Sequence, residues 1–333
     1  MQEIVRPGQT IASRSLKKLL GGKGANQAKA IACAGVNVLL DGAVGGDPEG
    51  ESVKDKLCEA IEGSEGRILE DRIRLAEGVS TGKAVIQLAD DGENCISECA
   101  HLGSAWFGTL KSTLTYPPVI LGGANTHALP DPNPLIPKGI THLLLANEII
   151  LESTITYLEA AHSRSITTIF NPSPMLSTKQ LQSFPLDKLD WLIVNQGEMA
   201  TIYDSLVGKE AQIDPEAEDS PDVVIENAKR LFKKLGNRTN ILCTIGGQGV
   251  IYVRSTSDSE DEEPKSGHLP AAKLLNPIKD TTGAGDCFMG FFAAGMSRIA
   301  RSDGFKSESN VSDEEFEGVL KTCLTVSPSS PIR

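Results

Sequence analysis

In the stretch DTTGAGDCFMG, residues 280–290, glycine and alanine stand just before an aspartate, and an apolar run follows. A Gly-rich turn that opens a helix gathers backbone N–H groups at the positive end of the helix dipole, an arrangement that binds anions. Asp286 is therefore out of place there as a counter-charge, but it is well placed as a base. The consecutive amides of TTGAGD can stabilise a transferring phosphoryl group, while a carboxylate at the rim can take the proton of an attacking hydroxyl. The alternative is that Asp286 merely favours the helix dipole, and the residues by themselves leave both readings standing.

A second Gly-rich turn, GGKGANQA at 21–28, also precedes a helical stretch. A lysine between glycines has little structural purpose, so Lys23 is a functional candidate. The common nucleotide signatures are not met. GVSTGKA (78–84) is one residue short of G-x-x-x-x-G-K-[ST] and lacks its hydroxyl, and G-x-G-x-x-G fails at both GKGANQ and GAGDCF. A P-loop NTPase or a Rossmann dehydrogenase is therefore not expected.

The elements that must position these turns alternate between strand and helix. Residues 25–34 read as a small-residue helix ended by Gly35, VNVLLDGAV as a buried strand, and 48–62 as a helix with Pro48 in its first turn. STGKAVIQLADDGEN (80–94) alternates like a strand running into a turn. Strands are expected at 142–147, 167–171, 189–195 and 241–246, and helices near 151–163, from 198, and over 223–235. In the last of these, Val224, Ala228, Leu231, Phe232 and Leu235 share a face and Gly236 is placed to cap. Repeated β-α units imply a mostly parallel sheet with helices on both faces, and ligands beyond the carboxyl ends of its strands. Asn147-Glu148, Asn171, Asn195 to Glu198 and Thr244 to Gly249 fall at those ends.

The chain has 333 residues, 40% apolar and 23% charged, with a net charge of −12. The acidic balance argues against nucleic-acid and anionic-membrane partners, and no apolar run of membrane-spanning length occurs. MQEIVRPGQTIASRSLKK lacks the apolar core of a signal peptide. The seven cysteines are scattered, with no second Cys or His pair at zinc-ligand spacing, which suits a reducing cytoplasmic or nuclear compartment. SDSEDEE (257–263) reads as a solvated loop.

Together, GGKGANQA and DTTGAGDCFMG resemble the two signatures of the ribokinase-type (PfkB) sugar kinases. GDPEGES (46–52), STG (80–82), NPSP (171–174), NQGE (195–198) and TIGGQGV (244–250) follow in the order of that family, and the resemblance spans roughly residues 7–320. It implies a single ribokinase-like α/β domain, doubly wound with a mostly parallel sheet, and a small β lid near 7–17 and 80–94. The implied activity is ATP-dependent phosphorylation of D-ribose at O5, with Mg²⁺ and K⁺. Alternatives are another sugar or nucleoside kinase of the family, or an inactive nucleotide-binding remnant.

The resemblance also implies residue roles. Asp286 corresponds to the base, and Gly283, Ala284 and Gly285 to the anion hole. Gly22, Lys23, Gly24, Ala25 and Asn26 correspond to a sugar-binding loop, and Glu148 to another sugar contact. Asn195 and Glu198 correspond to an element organising magnesium and phosphates, although Asn195 is equally placed to cap the following helix. Thr244, Ile245, Gly246, Gly247, Gln248 and Gly249 correspond to a nucleotide loop, and the carbonyls of Asp280 and Thr282 to a potassium site. Homodimers through the lid are implied as well. Three departures are expected: a first strand bearing a sugar-gripping Asn and Asp is missing, residues 95–118 are an insert of the unspliced-intron kind, and the C-terminal end is altered.

Overall fold

The computed structural model describes residues 4–5, 8–59, 66, 68–78, 80–88, 94–98, 136, 139–208, 220–256, 262–273, 283–302 and 311–326. The elements before the central sheet are α1 (Lys23–Cys33), β1 (Val38–Gly45), α2 (Pro48–Glu59), β2 (Ile68–Ala76), β3 (Ala84–Leu88) and β4 (Asn94–Glu98). There follow β5 (His142–Ala146), α3 (Leu151–His162), β6 (Thr167–Asn171), α4 (Thr178–Ser183), β7 (Trp191–Asn195), α5 (Gln196–Leu206), α6 (Pro221–Lys234) and β8 (Asn240–Thr244). The last are β9 (Val250–Arg254), β10 (Lys265–Leu269), α7 (Ala284–Ser302) and α8 (Asp313–Val326).

The main sheet has the order β10-β9-β8-β7-β6-β5, with β5 to β8 parallel and β9 and β10 antiparallel. Successive strand residues point to opposite faces, and both faces are buried. Phe170, Leu192, Val194, Ile241 and Cys243 pack with α3, α4, α5 and α6. Ile169, Trp191, Ile193 and Leu242 pack with α7 and α8, where Trp191 meets Phe292 edge-on at 4.9 Å. This is the expected layered α/β architecture. α6 shows the local logic: Ser220 caps it, Pro221 opens it, and Val224, Ala228, Leu231 and Phe232 form its buried face. Gly236 follows at φ 77, in the left-handed region that favours glycine.

Two smaller sheets differ from the simplest expectation. β1 and β2 form a parallel pair separate from the main sheet. Between β1 and β5 lies a cavity of about 180 Å³, lined among others by Val38, Leu40, His142, Leu144 and Tyr157. The Tyr157 hydroxyl on α3 donates to Asp41 Oδ2 on β1 at 2.9 Å across this cleft. β3 and β4 form an antiparallel hairpin, in keeping with a small lid.

Residues 8–20 carry no strand, so the expected lid segment at 7–17 contributes none among the described residues. Gly8 sits at φ 85, and the mostly exposed polar run after it offers no alternating apolar face to pair. At its start, the residues assigned to the insert continue in regular structure, because Cys95 to Glu98 pair with β3. The remainder of the insert, the acidic run through residue 261, and residues 327–333 lie outside the described residues.

The hairpin is fastened to the body at the start of α2. Asp47 accepts from Gly50 N at 2.8 Å, as a helix cap, and from both the backbone N–H and the hydroxyl of Thr81 at 2.9 and 2.5 Å. Burial pushes the Asp47 pKa up, but the Thr81 and Gly50 hydrogen bonds and the Lys83 charge outweigh it and hold the carboxyl below its ordinary value. Lys83 also pairs with Glu49 at 2.6 Å.

Candidate active site

The two Gly-rich motifs meet where α1 crosses α7. Small residues make the crossing possible: a Cβ on Gly290 would lie 2.7 Å from the Gln27 carbonyl oxygen and 3.2 Å from Ile31 N. Bare backbone at Gly290 therefore lets α7 lie directly against α1. Asp286 is one helical turn before Gly290, on the same face, and it meets α1 there.

Its carboxylate is held by two amides from α1, one on each oxygen. Asn26 Nδ2 donates to Oδ2 at 2.9 Å and Gln27 Nε2 donates to Oδ1 at 3.1 Å. Asp286 is 5% exposed and belongs to the first turn of α7, directly after Gly283 at φ 80. Burial raises its pKa above the ordinary carboxylate value, while the Lys23 charge and the Asn26 and Gln27 amides pull it down. A buried, oriented carboxylate with a raised pKa at a helix N-terminus has the properties of a proton acceptor beside an anion-binding turn.

The start of α1 is tied to the carboxyl end of the main sheet. Glu148, just beyond β5, accepts from the Lys23 backbone N–H at 2.8 Å, where its negative charge also suits the N-terminus of α1. Asn147 N donates to the Asn171 carbonyl at 3.2 Å, linking the ends of β5 and β6. Gly22, Lys23, Gly24, Ala25 and Asn26 thus run from Glu148 to Asp286.

A second group forms at the ends of β7 and β8, whose terminal residues Asn195 and Thr244 are cross-strand partners. Asn195 and Glu198 make a reciprocal capping box on α5: Glu198 N donates to Asn195 Oδ1 at 2.9 Å and Asn195 N donates to Glu198 Oε2 at 3.0 Å. The Asn171 amide also donates to Glu198 Oε2, at 3.3 Å. The structural role expected of Asn195 is therefore present. Ile245 N donates to the Gly249 carbonyl at 2.9 Å, closing a turn over Gly246, Gly247 and Gln248. Gly249 adopts φ 109, and a Cβ there would lie 2.7 Å from Ala271 N, so this turn needs glycine.

The structure thus gathers Lys23, Asn26, Glu148 and Asp286 in one place, and Asn171, Asn195, Glu198 and Thr244 in another. Asp280 and Thr282 lie outside the described residues. Two residues escaped the sequence reading. Gln27 was visible only as the residue after Asn26, and nothing in a small-residue helix marks which polar side chain turns inward. Asp47 was visible as part of GDPEGES, but its partner Thr81 is distant in sequence.

The model of the pfkB family carbohydrate kinases matches residues 1–116 and 137–309. The chain is 37% identical to the crystal structure of a ribokinase from Cryptococcus neoformans var. grubii serotype A in complex with ADP, covering 98% of this chain and 87% of that one, with a TM-score of 0.71. A ribokinase of Lactococcus lactis is 28% identical over 308 residues, covering 91% of this chain and 81% of the relative. The Arabidopsis thaliana ribokinase solved with ribose and ATP shares the fold, at TM-score 0.66 and 21% identity, over 99% of this chain and 89% of that one. The chain belongs to the pfkB family of carbohydrate kinases, in its ribokinase group of phosphotransferases.

Proposed function

We propose that this chain transfers the γ-phosphoryl group of ATP to the O5 hydroxyl of D-ribose. The observation that carries the reading is the Asp286 carboxylate, buried at the first turn of α7 and gripped on both oxygens by Asn26 and Gln27. Asp286 takes the proton from O5, the O5–Pγ bond forms, and the bond from Pγ to the β–γ bridging oxygen breaks, leaving ADP. Gly283, Ala284 and Gly285 hold the phosphoryl oxygens as charge develops on them. Lys23 and Asn26, between Glu148 and Asp286, orient the sugar so that O5 faces the carboxylate.

The nucleotide lies beside the turn from Thr244 to Gly249, where Gly246 and Gly247 leave the space beside their backbone open. The ADP complex of the Cryptococcus ribokinase supports a nucleotide site, and the ribokinase relatives support ribose. Glu198, oriented by Asn195 and Asn171, would supply a carboxylate oxygen to Mg²⁺, a donor that suits this hard cation, and the ion would neutralise charge on the phosphates. Potassium at the carbonyls of Asp280 and Thr282, pairing of two chains through the β3–β4 hairpin, and a cytoplasmic or nuclear location belong to the same proposal.

A second reading, a nucleotide-binding protein without turnover, is favoured by one observation: the cleft that separates β1 from the main sheet. Purified protein is offered ribose, fructose or adenosine with ATP, Mg²⁺ and K⁺. ADP release with ribose above the other two acceptors is the expected result. Folded protein that binds ATP but turns over none of them would establish the second reading.

A further inference from the structure

Gln27 is 3% exposed, so its amide has no water to satisfy it and must find partners within the protein. Its Nε2 donates to Asp286 Oδ1 at 3.1 Å and lies 4.0 Å from Met289 Sδ, a much weaker acceptor. A long polar side chain on an otherwise alanine-rich buried face is costly unless that hydrogen bond is worth keeping. The neighbouring Asn26 holds the other oxygen.

We infer that Gln27 is a positioning residue for the transfer reaction: with Asn26 it fixes the plane of the Asp286 carboxylate and keeps that group ionised until it takes the substrate proton. This rests on the reading of Asp286 as the base. One amide alone would leave the carboxylate free to turn about its terminal torsion, which is broad for an aspartate. Two adjacent amides of α1, one per oxygen, remove that freedom. Both amides are donors, and a carboxylate is acceptor-only when ionised. A proton on either lone pair that faces an amide N–H would therefore be opposed, so the incoming proton is directed to a lone pair that faces neither amide. The other groups acting on this carboxylate are Lys23 on α1 and, on its own helix, Cys287, whose thiol burial pushes up to about 11 and so leaves neutral.

The test combines a variant with a measurement that needs no variant. In Gln27→Leu, kcat is expected to fall about 10- to 100-fold through lost alignment, with the KM for ATP unchanged. The acid limb of its pH profile should move upward by on the order of one pH unit. Gln27→Glu, nearly isosteric, adds a like charge and should move the limb further. In the ligand-free wild-type protein, the Gln27 side-chain ¹⁵NH₂ resonances should shift with pH at the midpoint at which the Asp286 carboxyl ¹³C signal titrates. An unchanged pH profile in both variants, or a Gln27 amide that ignores the Asp286 titration, overturns the inference. Absence of turnover in the wild type would instead count against the proposed function, while the NMR titration would still judge Gln27.

Discussion

At the scale of the residue, Asp286 combines properties that serve function at the expense of stability. It is buried, and burial raises its pKa above the ordinary value of 3.8 despite the Lys23 charge and two amides. A group whose pKa is raised on folding holds its proton more tightly in the folded state. Its contribution to stability is fully present below the unfolded value and is lost as pH rises through the folded value. The ionised form therefore weighs against the fold at neutral pH. Asp286→Asn removes that charge, and Gln27 can turn its Oε1 toward the new amide. The variant is expected to melt about 1–3 °C higher than the wild type at pH 8, with the gain shrinking as pH falls through the raised folded-state value. Differential scanning calorimetry across that range checks it, and a variant that melts lower at pH 8 would contradict it.

At the scale of the element, the site depends on how closely α7 lies on α1. Gly290 is the contact point, since an added Cβ would press on the Gln27 carbonyl and the Ala30 side chain. Helix propensity alone favours alanine by about 1 kcal/mol. The backbone clash is expected to outweigh that, so Gly290→Ala should destabilise by about 1–3 kcal/mol in urea titrations. The same displacement should reduce turnover by separating Asp286 from Asn26 and Gln27, and unchanged stability and rate would show that the helices can part freely.

Much at this scale is legible in the sequence. The 3.6-residue pattern of α6, the exact span of β6, and α1 ended before Gly35 all followed from local pattern and glycine placement. What depends on distant partners did not. Gln27 looks like any polar helix residue until α7 is laid beside it, and Asp47 looks like a helix cap until Thr81 arrives. The segment at 7–17 resembles part of a lid by motif alone, whereas a strand needs an edge and an alternating face.

At the scale of the whole molecule, stability is unevenly distributed. β6, β7 and β8 have a neighbour on each side and helices on both faces, while β1 pairs with β2 and borders the cleft toward β5. Backbone amides in β6 to β8 are therefore expected to exchange with deuterium last, and those of β1 and β2 well before them. Uniform protection across both sheets would show that the cleft costs no local stability. Composition and motif order could indicate the layered fold, because alternating β-α units have few ways to pack, but not which strand edges remain open.

The proposed reaction requires that this fold bring ribose O5 to Asp286 beside a phosphoryl-binding turn. Steady-state ADP formation by purified protein with ATP, Mg²⁺, K⁺ and ribose, compared with Asp286→Asn under the same conditions, tests it most directly. The expected result is ribose 5-phosphate formed in step with ADP by the wild type, and a rate about 10²- to 10⁴-fold lower in the variant. A folded Asp286→Asn protein that phosphorylates ribose at the wild-type rate would contradict it.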